Sequence, residues 1–182
     1  MRRRFVILIL LPLMAAVITG CEKEPEDRSI MLGAQSNPTV PGFYSVGQNK
    51  TYTMSQAADN PGVIDILCFY EAETGNNMAL ASPGSGIRDI FTGDDMPDNW
   101  TVKNTTYFFQ TTLTADQFEA VQDGDALIET SFDSDNARKK AKDVQVGQVW
   151  AFRTEDGTYG LLLATAVEQG INGTVTFLIR TK

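Results

Sequence analysis

The sequence predicts an α+β, β-rich fold: one or more antiparallel sheets with a C-terminal three-stranded meander, plus one or two short helices. Three observations carry this. Two hairpin dipeptides, Asp156-Gly157 and Asn172-Gly173, separate β-rich runs near the C-terminus. The run "TTYFFQTTL" over 105–113 is dense in the β-branched and aromatic residues that suit a strand. The tetrapeptide "TADQ", Thr114–Gln117, has the form of a helix-opening capping box, in which a threonine oxygen and a glutamine side chain satisfy each other's backbone amides.

Taken from the N-terminus, the first element is not part of that fold. Arg2 to Arg4 precede an apolar run of 14 residues, Phe5 to Ile18, interrupted by Pro12. A membrane-spanning helix needs about 20 apolar residues. The run is short for a span and matches the core of a signal peptide behind a charged start. It ends in Ile18-Thr19-Gly20-Cys21. This tetrapeptide resembles the lipobox of bacterial lipoproteins, and the resemblance implies cleavage before Cys21 and lipidation of that cysteine. One acyl chain holds a protein on a membrane only marginally, at about 0.8 kcal/mol per buried methylene, whereas two or more anchor it stably.

The next residues are Glu22, Lys23, Glu24, Pro25, Glu26 and Asp27. Such a stretch is solvated and self-repelling, as a tether would be. It also resembles the acidic export signal that follows the lipidated cysteine in surface lipoproteins of Bacteroidetes-type bacteria. That resemblance implies the outer membrane, facing the cell exterior, with the periplasmic face as the alternative. The domain organisation expected is a signal peptide over 1–20, a lipidated acidic tether over 21–42 and a single β-rich domain over 43–182.

Composition narrows the chemistry. The chain has a net charge of −8, and loss of residues 1–20 removes three arginines and no acids, giving −11. A chain this acidic has little with which to neutralise phosphates, so nucleic acid is not an expected partner. It contains no histidine. That removes Ser-His-Asp and Cys-His catalysis and the usual catalytic zinc sites. With Cys21 acylated, Cys68 has no partner for an intramolecular disulfide. No cofactor and no metal are expected.

Within the domain, "GVIDILCFYEAETGNNMALASP" predicts a hairpin of 63–71 and 77–82 around a Gly-Asn-Asn turn, the first strand apolar on both faces. Strand 105–113 follows, then a short helix from Ala115 to the stop at Gly124, with Phe118 and Val121 on one face. "SDNARKKAKD", 134–143, predicts a second helix, acidic at its start and basic at its end, as the helix dipole prefers. The meander comprises 148–154, 159–168 and 174–181. Its middle strand is apolar on both faces, so something must cover each. Its last strand places Val175, Phe177 and Ile179 inward and Thr174, Thr176 and Arg180 outward. This C-terminal segment, with "VGQVWAF" and "DGTYGLLLAT", resembles the ends of many small uncharacterised Bacteroidetes lipoproteins, a resemblance that implies architecture and location.

Four features compete as sites. Asp94, Asp95 and Asp98 gather in "TGDDMPDN", but their spacing matches no EF-hand loop and reads as a solvated acidic loop. Asp65 lies in an apolar strand, where a carboxylate's pKa can rise. Trp100, Trp150 and Tyr159 could form a sugar-stacking platform. Trp150 alternates with Phe152 and reads as core, which leaves Trp100, in a polar loop, as the ligand-binding candidate. The basic cluster 138–142 reads as a solvated helix face, with an anionic glycan or partner as the functional alternative.

The expectation is a non-enzymatic interaction or assembly module, lipid-anchored at the outer membrane, with a glycan or a protein as partner. The alternatives are a glycan-binding accessory lipoprotein of a polysaccharide-uptake system and a carboxylate-dependent hydrolase.

Overall fold

The computed structural model describes residues 29–73 and 75–182. The signal segment 1–20, Cys21 and the acidic run after it lie outside the described residues. The described residues form ten strands in two antiparallel sheets. In chain order the strands are β1 (Ser29–Gly33), β2 (Phe43–Ser45), β3 (Lys50–Tyr52), β4 (Ile66–Glu71), β5 (Asn77–Ala81), β6 (Tyr107–Gln110), β7 (Lys140–Ala141), β8 (Val149–Arg153), β9 (Tyr159–Glu168) and β10 (Thr174–Thr181). The first sheet runs β1-β10-β9-β8-β6 and the second β3-β2-β4-β5-β7. Three short helices accompany them: α1 (Met54–Asp59), α2 (Ala115–Glu119) and α3 (Ala126–Thr130). The β-rich α+β class and the C-terminal meander are as the sequence predicts.

Strand alternation sorts the apolar residues into three layers. Between the sheets lie Leu32, Tyr44, Ile66, Cys68, Met78, Leu80, Phe152, Leu162 and Phe177, all buried. The other face of the first sheet carries Val149, Ala151, Leu161 and Leu163, which pack with Phe118 and Val121 of the α2 segment and Ile128 of α3. The other face of the second sheet carries Phe43, Leu67, Phe69, Ala79 and Ala81, covered by Ala57 of α1 and by Ile87, Phe91 and Trp100 from the 82–104 connection. Strands apolar on both faces thus find both faces covered, which is the arrangement their composition demands.

Both sheets meet at one flank. Phe108 of β6 and Arg138 exchange backbone hydrogen bonds of 2.7 and 2.8 Å, and three residues later Ala141 of β7 pairs with Leu80 of β5. Thr106 adds a second link, its Oγ1 donating to the Asp65 carbonyl (2.7 Å) and its amide to Ser82 Oγ (2.9 Å).

Four expectations are corrected. The sheet takes in residues assigned to the tether: Ser29–Gly33 pairs along β10, burying Ile30 and Leu32 while Met31 faces out. This is a period-two pattern too short to stand out beside the prolines that follow. The helix expected over 134–143 is absent. Asp133 Oδ1 accepts the amides of Asp135 and Asn136 in a turn, and the chain then extends along the sheet edges. The segment has no apolar stripe to hold a helix down, and two strand edges offer it backbone partners. α1 and α3 were not expected. Finally, Arg180 is buried rather than exposed, because the α2–α3 layer covers its face of the sheet: Nε donates to the Val121 carbonyl (3.1 Å) and the guanidinium lies 5.3 Å from the Phe118 ring.

Candidate functional site

Trp100 does not sit where a ligand could use it. It follows a short 3-10 turn, Pro97–Asn99, is 7% exposed, and stacks obliquely on Phe43 with ring centres 5.5 Å apart. Its indole N–H donates to the Asp95 carbonyl at 2.8 Å. The ring is a building block of the second sheet's outer layer, packed rather than presented to solvent as a ligand-binding role would need. The acidic loop around it is organised by backbone carbonyls. Those of Asp94, Asp95 and Asp98 accept from Asn99, Trp100 and Lys103, while the three side chains are exposed. Among the described residues no group of three or more His, Cys, Asp or Glu is arranged to hold a metal ion.

Cys68 is wholly buried between the sheets, and burial pushes its thiol far above the ordinary range. It has neither the access nor the ionisation that a nucleophile needs.

Two concave sites among the described residues carry clusters of charged side chains. The first is a cleft of about 340 Å³ where Asp65, Glu155 and Asp156 face Ser45, Gln48 and Asn104. Asp65 precedes β4 and is buried, its Oδ2 accepting the Val46 amide at 2.8 Å. Desolvation pushes its pKa up to about 6. The Val46 and Gly47 amides and the Asn104 side chain work against that rise, and the Asp156 charge adds to it. Asp156 moves the other way. The Thr154 hydroxyl and the Thr158 amide donate to its Oδ1 and hold its carboxyl below the usual range. Glu155 Oε2 accepts the Thr105 amide at 2.6 Å. Two carboxyls driven apart in pKa at one cleft have the electrostatic form of an acid and base pair.

The second site is a groove of about 550 Å³ at the flank where the sheets meet. Its floor is mainly apolar, formed by Phe108, Phe109 and Trp150. Phe108 and Trp150 are largely buried, with the Trp150 N–H donating to Gln148 at 3.0 Å. Its rim is Arg138, Lys139, Lys140 and Lys142, from the extended segment where a helix was expected. Extension rather than coiling lays these four cations along the groove. Glu71 is the acid beside them, its Oε1 lying 3.7 Å from Lys140 Nζ and 3.2 Å from Lys142 Nζ. Lys139 Nζ stands 6.0 Å over the Tyr107 ring. Asparagine and glutamine amides, Asn136 and Gln110, and the Ser85 hydroxyl complete the lining.

Sequence inspection singled out the basic cluster and Asp65, but not the partners of either. Val46 lies 19 positions from Asp65, and Phe108 lies 30 positions from Arg138; the fold, not the local sequence, brings them together.

No protein-family profile and no curated protein matches this chain. Among solved structures, a DUF4466 family protein from Parabacteroides merdae shares the fold, with a TM-score of 0.57 and 15% identity. The match covers 85% of this chain and 54% of that one, so the chain spans about half the length of its structural relative. At such identity the likeness concerns the fold alone. The relative's organism belongs to the Bacteroidetes, the group to which the sequence resemblances point.

Proposed function

We propose that this protein is a lipid-anchored surface lipoprotein of the outer membrane and acts as a non-enzymatic interaction module through the groove at its sheet junction. The observation that carries the reading is charge segregation. In a chain of net charge −8, four cations within five positions rim one concave, apolar-floored surface. Concave sites with a mainly apolar lining and a few polar groups are the usual form of a binding site. The absence of histidine supports a binding rather than a catalytic role.

The anchor rests on the Arg2–Arg4 start, the short apolar run and Ile18-Thr19-Gly20-Cys21. In this reading residues 1–20 are removed and Cys21 carries the acyl chains. The acids at 22–27 favour the outer face, with the periplasmic face as the alternative. Cys21→Ala in the full chain should abolish labelling by radioactive palmitate and move the protein out of the membrane fraction. An unlabelled wild type, or a Cys21→Ala variant that stays in the membrane uncleaved, removes the anchor.

A second reading has one observation in its favour, the opposed pKa displacements of Asp65 and Asp156 at one cleft. It makes the protein a carboxylate-dependent hydrolase. Turnover on a glycan or peptide panel that is lost in both Asp65→Asn and Asp156→Asn would establish it against the binding reading.

A further inference from the structure

We infer that the groove between β6 and the 136–142 segment binds an acidic saccharide, a sugar unit bearing carboxylate or sulfate. This rests on the reading of the groove as the protein's contact site and names what it contacts.

The rim specifies charge. Arg138, Lys139 and Lys142 are exposed, and among the described residues no acid lines the groove itself. Glu71 engages Lys140 and Lys142 from outside it, which leaves the rim an excess of positive charge. A guanidinium meets a carboxylate or sulfate through two parallel hydrogen bonds, and the lysines add point charges.

The floor specifies something more than charge. Phe109 is half-buried, and Phe108 and Trp150, which also line the groove, are largely buried. An inorganic anion gains nothing from such a surface, whereas the C–H face of a sugar ring does. Gln110 and Asn136 are exposed amides, each carrying donors and an acceptor, which is what sugar hydroxyls require. Asn136 is steadied by donating to Asp133 at 2.7 Å.

Size and backbone exclude competitors. About 550 Å³ is the size of a small-molecule cleft and holds a small ligand or a short length of a chain. Among the described residues the lining contains no glycine, the residue that phosphate-cradling loops rely on. An extended peptide adding to the β6 edge would find the Phe108 amide and carbonyl already engaged by Arg138.

The test is calorimetric titration of the detergent-solubilised full chain with trigalacturonate and a chondroitin sulfate tetrasaccharide. Maltotriose, triglutamate and tripolyphosphate serve as comparators. Saturable binding of at least one acidic saccharide is expected, weakening as salt is raised. It should fall at least tenfold in both Lys139→Ala/Lys142→Ala and Arg138→Ala, with maltotriose at least tenfold weaker than the acidic sugar. The variants are at exposed positions, and unchanged thermal melts show that they fold. Binding of neither acidic saccharide, binding unaffected by the variants, or equal binding of tripolyphosphate overturns the inference. Triglutamate binding that the variants abolish overturns the saccharide while leaving the groove an interaction site. Hydrolysis of a bound saccharide leaves the ligand class standing and overturns the non-enzymatic reading.

Discussion

The ring of Phe152 lies across the backbone of Gly160, its partner in the β8–β9 ladder: a Cβ at position 160 would fall 2.1 Å from Phe152 Cζ. The glycine is therefore a space requirement of the inner layer. Gly160→Ala should cost about 1–3 kcal/mol by overpacking. The cost should shrink in a Phe152→Leu background, because the clash and the ring disappear together. Urea denaturation of the two single variants and the double variant checks this, and simple additivity would contradict it.

Asp65 makes stability depend on pH with a sign opposite to that of most carboxylates. Its folded pKa of about 6 exceeds the ordinary 3.8, so between those values the folded state binds the proton more tightly. The stabilising contribution is complete below 3.8 and is lost as pH rises through 6. A two-unit shift corresponds to at most about 3 kcal/mol. Wild type should thus gain stability from pH 7 to pH 5. Asp65→Asn, whose amide oxygen can still accept from Val46, should gain less. Equal pH dependence in the two proteins would show that Asp65 is not the source.

Arg180 stands in for a core residue. Removing its side chain leaves the Val121 carbonyl without its 3.1 Å donor and strips cover from Phe118. Arg180→Ala should cost roughly 2–4 kcal/mol, from lost packing and an unmet acceptor together. Arg180→Met keeps the stem and should recover about half of that. Chemical denaturation of both variants separates the two contributions.

Trp100 should report on stability. Trp100→Ala should cost about 3–5 kcal/mol as a large buried ring is lost, and Trp100→Phe less. Ligand binding by the groove should survive Trp100→Phe unchanged, as titration of that variant would show.

Thr53 and Thr114 both cap helices with the same reciprocal pattern, Thr53 with Gln56 and Thr114 with Gln117. Each Thr→Ala substitution should cost about 1 kcal/mol by thermal or chemical denaturation.

That pair also marks how far the fold could be read from the chain. "TADQ" sits between a strand run and an amphipathic pattern, so its capping box is conspicuous. "TMSQ" opens a helix of six residues with one fully buried side chain, Ala57, and offers no periodicity to flag it. The long strands of the meander and the hairpin around Asn76 declared themselves through alternation and turn dipeptides. β2, β3 and β7 are two or three residues long and exist because a neighbouring edge supplies their hydrogen bonds. The same dependence defeated the helix expected at 134–143. Charge order along a helix is a matter of tenths of a kilocalorie up to about 1 kcal/mol, less than two open sheet edges can offer. The groove shared that fate. Its cations were visible as a run, but their role as a rim follows from pairing with β6, which lies some thirty residues earlier.

The first sheet's outermost strand carries one further consequence. If the protein is held at the membrane from its N-terminal side, the hold reaches the domain through β1, which joins β10 by five consecutive residue pairs from Ser29–Leu178 to Gly33–Thr174. Tension directed along the strand would load those pairs together, whereas tension directed across it would open them one after another from Ser29. The direction in which the domain is dragged, by flow or by a captured polymer, therefore sets whether its attachment resists as a single unit or peels.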